Sequence, residues 1–308
     1  MKKFLYSIIL FVLPVWTMLT IVDYYYSQAA TKSNSFHINA WYDLMHGEID
    51  ADVVVMGSSR AWVHISPIIL DSILGVNTYN LGIDGSTINR QIKKYNVFRK
   101  YNKKPKLIIQ NIDHASLGYK NGYLREQFFP YFWDKAIRDE FYSSEPISIW
   151  EKYIPFYRYC HNFDNETIHD IVCNTTPQLI KGYQGQEWVW DGSKYGKVQS
   201  IRFLPNDTTL MMFDDYLSRA KIEGIKIIFV YTPLYIGATR KIENLKEMHI
   251  LYQKLADKYS IPILDYTYMG ICYDTIYFYN AMHLTKTGAE IFSDSLANDI
   301  RRLGIINK

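Results

Sequence analysis

Cysteine is scarce in this chain of 308 residues: three occur, at Cys160, Cys173 and Cys272, and none sits in a Cys-x-x-Cys pair. That excludes a zinc ribbon, a thioredoxin-type redox motif and a multi-disulfide scaffold. An excess of one charge sign is also lacking. Lys and Arg total 34 against 31 Asp and Glu, a net +3, so no field argues for nucleic acid, and no basic stripe lies on a recognisable binding motif. His-Glu-x-x-His, Gly-x-x-x-x-Gly-Lys-Ser/Thr and a Gly-x-Gly-x-x-Gly after a strand are all missing. Gly192-Ser193-Lys194-Tyr195-Gly196-Lys197 is one residue short of a P-loop and lacks its Ser/Thr. No repeat at the roughly 20–50-residue period of solenoids and no low-complexity tract is present.

The chain does have apolar mass. Hydrophobic residues make up 48% and charged residues 21%, enough for a large core and incompatible with intrinsic disorder. Residues Phe4 to Val22 form 19 consecutive uncharged, mostly apolar positions behind Lys2 and Lys3, long enough to cross a hydrocarbon core of roughly 30 Å as a helix. The flanking lysines favour a cytoplasmic N-terminus, with Tyr24, Tyr25 and Tyr26 in the far interface. Two readings stand: an uncleaved anchor over residues 1–26, or a signal peptide cut near Ser27-Gln28-Ala29-Ala30. Both put residues 27–308 outside the cytoplasm, periplasmic or on the cell surface. In that compartment Cys160 and Cys173 either pair or stay free, and sequons at Asn165, Asn174 and Asn206 matter only in a eukaryotic secretory host. Because the first strand is expected near Val53, removal of residues 1–26 is expected to leave a folded, soluble protein.

Strand and helix signals alternate from there. Val53-Val54-Val55-Met56 reads as a fully buried strand ended by Gly57. Ser66-Pro67 opens a helix over Pro67–Leu74, closed by Gly75. A second strand is expected over 76–81, a helix over 86–100, and a third strand over 106–112. Further on come a helix over 207–223, a strand over 226–231, a helix over 242–259, a strand over 261–265 and a last helix over 285–303. This alternation predicts an α/β fold with a five-stranded parallel sheet between two helical layers, its ligand site outside the carboxyl ends of the strands. The aromatic-rich interval 115–205 breaks the alternation and is expected to be a helical insertion. It holds Phe128-Phe129-Pro130-Tyr131-Phe132-Trp133 and Trp188-Val189-Trp190, either as a lid completing the core or as a sugar-binding surface.

Three segments fall at strand ends. Gly57-Ser58-Ser59-Arg60 follows strand one, Asn80-Leu81-Gly82-Ile83-Asp84-Gly85-Ser86-Thr87 follows strand two, and Asn280-Ala281-Met282-His283-Leu284-Thr285 precedes the last helix. A serine hydroxyl is a weak nucleophile that needs an adjacent base, and the tetrahedral intermediate of acyl transfer needs N–H donors aimed at its oxygen. A serine, a glycine loop and a histidine at one sheet edge can supply these. His64 and His114 follow strands one and three and can line the same cleft. His37, His46, His161, His169 and His249 have no partner legible in the sequence.

This set of segments resembles the SGNH (GDSL-like) hydrolase superfamily, over about residues 50–113 and 207–303. Within it, the chain is similar to the membrane-anchored branch linked to teichoic-acid D-alanylation and alginate O-acetylation. The resemblance implies a three-layer, flavodoxin-like fold with no metal and no cofactor. It implies Ser59 as nucleophile, His283 as general base, and Gly85 as an oxyanion N–H donor. Where the family carries Gly-x-Asn-Asp, this chain reads Gln110-Asn111-Ile112-Asp113-His114, which gives Asn111 to the oxyanion hole after a shift of register, with Asp113 beside it. The family's acid, three residues before the histidine, is Asn280 here. The implied activity is transfer or hydrolysis of an ester-linked acyl group, O-acetyl first, on a cell-surface polysaccharide. The other implied role is a non-catalytic binding or assembly protein beside a multi-pass membrane acyltransferase.

Overall fold

The computed structural model describes residues 2–118, 125–143, 147–173, 179–192 and 200–306. The Asn174 sequon and the stretch from Ser193 to Lys197 lie outside them. Two compact units divide the chain, Met1–His46 with Gly122–Gln178, and Gly47–Asn121 with Leu179–Lys308. The expected insertion over 115–205 is shared between them.

In the first unit, helix α1 runs unbroken over Lys2–Ala30. Its apolar part is bare, with Leu10 and Phe11 each 73% exposed. Among the described residues it is the one helix long and apolar enough to cross a membrane. The last two turns behave differently. Asp23, Ser27 and Ala30 share one face at i, i+4 and i+7 and are buried. Arg158, itself buried, reaches Asp23 with Nη1 at 2.8 Å and Nη2 at 2.6 Å, Ser27 Oγ at 2.8 Å, and the Phe129 carbonyl with Nε at 3.1 Å. Around this pair the aromatic run is core: Phe128, Phe129, Tyr131 and Phe132 are buried, and Trp41 meets Phe128 and Phe141 edge-on at 5.0 and 5.5 Å. The short helix Ile149–Tyr153, closed by a Ser148–Glu151 capping box, keeps Ile149, Trp150 and Tyr153 exposed. The Trp16 indole N–H donates to the Tyr153 carbonyl at 3.0 Å. Cys160 and Cys173 are unpaired.

These contacts bear on the expectation that residues 1–26 are dispensable. Removing them deletes Asp23 and strands a buried guanidinium; a cut within 27–30 severs the same pair and splits a continuous helix.

The second unit holds the sheet. Strand β1 (Val53–Met56) leads into α2 (Ser59–His64) and α3 (Pro67–Leu74), then β2 (Thr78–Asn80), α4 (Ile88–Tyr101) and β3 (Leu107–Asn111). After Leu179 come α5 (Asp207–Ile222), β4 (Lys226–Tyr231), α6 (Leu245–Tyr259) and β5 (Ile263–Asp265). A small antiparallel hairpin, β6 (Phe278–Asn280) and β7 (His283–Leu284), precedes α7 (Lys286–Leu303). The five long-range strands are all parallel, in the order β2-β1-β3-β4-β5, the doubly wound, flavodoxin-like order. Side chains alternate across it. Val53, Val55, Leu107, Ile109 and Ile228 cluster with Leu70 of α3 and Phe292 and Leu296 of α7. On the opposite face Phe229 meets Phe213 of α5 at 5.6 Å and Tyr252 of α6 at 6.3 Å. Both faces are covered, which explains why the strands read as continuous apolar runs. Elements absent from the sequence expectation include α2, which starts at Ser59 itself, and the β6–β7 hairpin.

The Asp23–Arg158 pair yields a stability prediction. Arg158→Met leaves a buried carboxylate alone and should destabilise the full-length protein by about 3–5 kcal/mol. Asp23→Leu together with Arg158→Met removes both charges and should recover most of the loss. Thermal unfolding in detergent checks both; a single mutant melting with the wild type would show the pair to be inert.

Candidate active site

The carboxyl end of β1 fixes the site. Strand β1 ends at Gly57, where a Cβ would come within 2.6 Å of the Ala61 Cβ and 2.7 Å of the Asn111 Cβ. Only glycine fits there, and α2 starts two residues later. Ser59 is its first residue, so its backbone N–H has no intrahelical acceptor. The Gly57 carbonyl accepts from Ile83 N–H at 3.1 Å and Ser86 Oγ at 3.3 Å, pinning the loop after β2 against the end of β1. Asn80 braces the same corner. Its Nδ2 donates to the Ala61 and Ile65 carbonyls at 2.7 and 2.9 Å, while its Oδ1 accepts from Gly82 N–H at 2.9 Å. Gly85 caps this loop, exposed and with φ +59°, a left-handed conformation that favours glycine.

The β6–β7 hairpin carries His283 back to Ser59. His283 Nε2 lies 2.8 Å from Ser59 Oγ, and Nδ1 lies 3.0 Å from Asn280 Oδ1. Asn280 Oδ1 also accepts from Met282 N–H at 2.9 Å, which fixes the amide with its oxygen toward the ring. Because that oxygen only accepts, Nδ1 carries the proton and Nε2 is left as the acceptor for the serine hydroxyl. The tautomer is thus the one a general base needs.

His283 is held from two further sides. Tyr279 stacks on it at 5.3 Å with 9° between ring planes. His64 stands edge-on at 6.0 Å and accepts from Leu284 N–H through Nε2 at 3.1 Å. Burial, then His283 and Arg60, hold His64 well below the usual histidine range, so it serves as a neutral prop behind the hairpin. For His283, burial is the largest downward influence and Arg60 adds to it. Asp84 and Asp113 pull the other way, and the net value is about 4. The ring is therefore neutral and ready to accept a proton at any pH near 7.

The region after β3 is arranged differently from the expectation. Asn111 is fully buried and its Nδ2 points to the Ile112 and Val230 carbonyls and to Thr232 Oγ1 at 3.3–3.5 Å. Turned toward β4 in this way, its amide is not presented to an oxyanion at Ser59. Asp113 faces the serine turn instead. It accepts from Ser58 Oγ at 2.9 Å and pairs with Arg60 at 2.7 Å. Burial pushes its carboxyl upward, but Arg60, His114 and the hydrogen bonds from Ser58 and Ala115 outweigh this and hold it below the usual carboxylate range. The pair locks the residues on both sides of Ser59 in place. Nothing in the local sequence pairs Arg60 with Asp113, 53 residues away.

Ser59, His283, Asn280 and Gly85 are thus gathered at the ends of β1, β2 and the hairpin, while Asn111 keeps its Oδ1 3.5 Å from Ser58 Oγ and its Nδ2 toward Val230 and Thr232. No family model and no curated protein matches the chain. Among solved structures it is similar to a protein described as lipolytic and of the G-D-S-L family from Desulfitobacterium hafniense DCB-2, at 12% identity over 81% of this chain and 99% of that one, with a TM-score of 0.44. A protein described as a platelet activating factor from Streptococcus pneumonia gives 11% identity, 88% and 93% coverage and a TM-score of 0.45. One described as an acylhydrolase from Bacteroides fragilis NCTC 9343 gives 15%, 80% and 86%, and 0.39. At these identities and TM-scores the functional reading rests on the geometry of the site alone.

Proposed function

We propose that the chain is an SGNH-type serine esterase or acyltransferase acting on ester-linked acyl groups, O-acetyl first, of an extracytoplasmic polysaccharide. The observation that carries this reading is the hydrogen-bonded line Ser59–His283–Asn280, at 2.8 and 3.0 Å, with the tautomer fixed. In the proposed step Ser59 Oγ attacks the acyl carbonyl while its proton passes to His283 Nε2. The oxyanion is met by the N–H groups of Ser59 and Gly85. Collapse breaks the bond to the sugar oxygen, which takes the proton from His283 and departs as the alcohol. The acyl-serine is then attacked by water, giving hydrolysis, or by a second sugar hydroxyl, giving transfer, with His283 again accepting the proton.

Asn280 sets the power of this site. An amide oxygen orients the imidazole but carries no full charge to stabilise the imidazolium that forms as Ser59 attacks. With the ring depressed to about 4, proton transfer from serine is uphill. That combination favours, as the second reading, a non-catalytic partner of a membrane acyltransferase that keeps the constellation as a binding site.

Placement at a membrane is supported by α1, by Lys2 and Lys3 before its apolar run, and by the exposed helix Ile149–Tyr153, whose Tyr153 carbonyl accepts from the Trp16 indole N–H. The membrane is thus proposed as this protein's support, with the site working on its extracytoplasmic side.

Two measurements test the reading. Ser59→Ala should reduce hydrolysis of an aryl acetate by roughly three orders of magnitude or more while leaving thermal unfolding near wild type. Equal activity in a folded Ser59→Ala protein would remove the nucleophile. Asn280→Asp puts a carboxylate on Nδ1, so the His283 pKa should rise and kcat should increase by about tenfold or more. The sign follows from which form works: neutral His283 is the base, so the acidic limb near pH 4 in the wild type should move toward neutral pH in the variant. Profiles of kcat from pH 4 to 9 decide it. No turnover and no labelling by a serine-reactive probe in either folded protein would favour the binding role.

A further inference from the structure

We propose that Trp188 and Tyr279 form a stacking subsite for a neutral pyranose ring beside Ser59, so that the sugar bearing the ester is held by its face while its acyl group reaches the nucleophile. This rests on the acyl-transfer reading above. Tyr279 stacks on the catalytic-site imidazole, and Trp188 continues from it at 5.0 Å with 42° between planes. Trp188 is nevertheless 59% exposed, unlike Trp190 two residues on, which is buried and edge-on to Tyr235.

The indole is held in place. The backbone carrying it is laid along the hairpin by Trp190 N–H to the Phe278 carbonyl at 2.9 Å and Lys286 N–H to the Gln186 carbonyl at 2.7 Å. At Gly185, just before this stretch, a Cβ would stand only 3.1 Å from the Lys286 side chain, so the segment approaches α7 closely. The indole N–H is directed to Gln186 Oε1 at 3.3 Å. What Trp188 offers to solvent is therefore a fixed apolar ring face, and such a face packs well against the C–H face of a pyranose.

Charge narrows the ligand. Arg60, the cation next to the nucleophile, is committed to Asp113 at 2.7 Å. Lys286 is paired with Glu187, beside Trp188, at 2.9 Å, and the exposed Asp84 acts electrostatically on both His283 and Tyr279. A carboxylate there can accept hydrogen bonds from sugar hydroxyls and repels uronate or phosphate groups. The platform thus suits a neutral glycan over a polyanionic one.

The test uses full-length Ser59→Ala protein in detergent, which binds without turnover. It is titrated calorimetrically with partially O-acetylated cellohexaose, which is neutral, and partially O-acetylated oligogalacturonate of similar length. The neutral ligand should bind with a Kd at least about tenfold lower, and adding Trp188→Ala should raise that Kd about tenfold, near 1.4 kcal/mol. Trp188→Phe, which keeps a ring face, should restore most of the affinity. An unchanged Kd on Trp188→Ala, tighter binding of the galacturonate, or binding of neither ligand would overturn the subsite. Aryl acetate hydrolysis by the wild type is read separately. Trp188-dependent binding without any esterase activity would keep the subsite and remove the catalytic reading.

Discussion

At Gly57 the backbone leaves β1 so close to Ala61 and Asn111 that no side chain fits, and from that crowding the site follows. The freed Gly57 carbonyl can then accept from both Ile83 and Ser86, which draws the Gly85 loop over the start of α2. The same absence of a Cβ lets α2 begin at once, so that Ser59 stands at a helix N-terminus with its N–H unspent. Asn80 ties the far end of α2 to the loop through three side-chain hydrogen bonds internal to the corner. Nucleophile, loop and helix are therefore one rigid body before His283 arrives.

What brings His283 is a different kind of constraint. The β6–β7 hairpin is short, and its two strands are bridged by a register irregularity between Phe278 and Asn280. Inside that irregularity Asn280 Oδ1 accepts from Met282 N–H as well as from the ring. One amide thus does two jobs, closing the turn and choosing the tautomer. A carboxylate could do both with a full charge as well. The depressed His283 then follows from burial beside Arg60 with no compensating anion at Nδ1. The geometry is that of a base, and its strength is what the amide leaves unsupplied.

Local patterns were legible where the physics is local. The apolar run 53–56, the Ser66-Pro67 start and Gly75 stop of α3, and the start of α5 at Asp207 all lie where sequence signals place them. The order of the five strands and the meeting of Ser59 with His283 needed the alternation of elements and the family resemblance as well. Helix α2 escaped notice because six residues give no periodicity to read. The roles of Arg60 and Asp113 escaped because a buried ion pair spanning 53 positions leaves no local trace. Asn111 is a case of the same kind: its position on β3 is right for the site, and no local pattern announces that its Nδ2 meets the Val230 carbonyl and Thr232 while its Oδ1 faces Ser58. The hydropathy of α1 marks its apolar run to Val22, and the packing that starts at Asp23 lies beyond what hydropathy shows.

The aromatic residues show how one compositional signal divides according to what covers it. In the first unit the buried Arg158 guanidinium lies over the rings of Phe132 and Tyr159 at 5.1 and 4.7 Å and donates to the Phe129 carbonyl. There the rings supply a low-polarity wall whose faces stabilise the cation they enclose. In the second unit the same residue types line up from His283 outward through Tyr279 to Trp188, and the series ends uncovered. A core aromatic is satisfied by neighbours on every side, whereas Trp188 is fixed from behind and bare in front. Fixing an exposed ring costs side-chain entropy that solvent contact does not return. Within the series that starts at His283, a ligand that completes the stack on Trp188 would offset that cost.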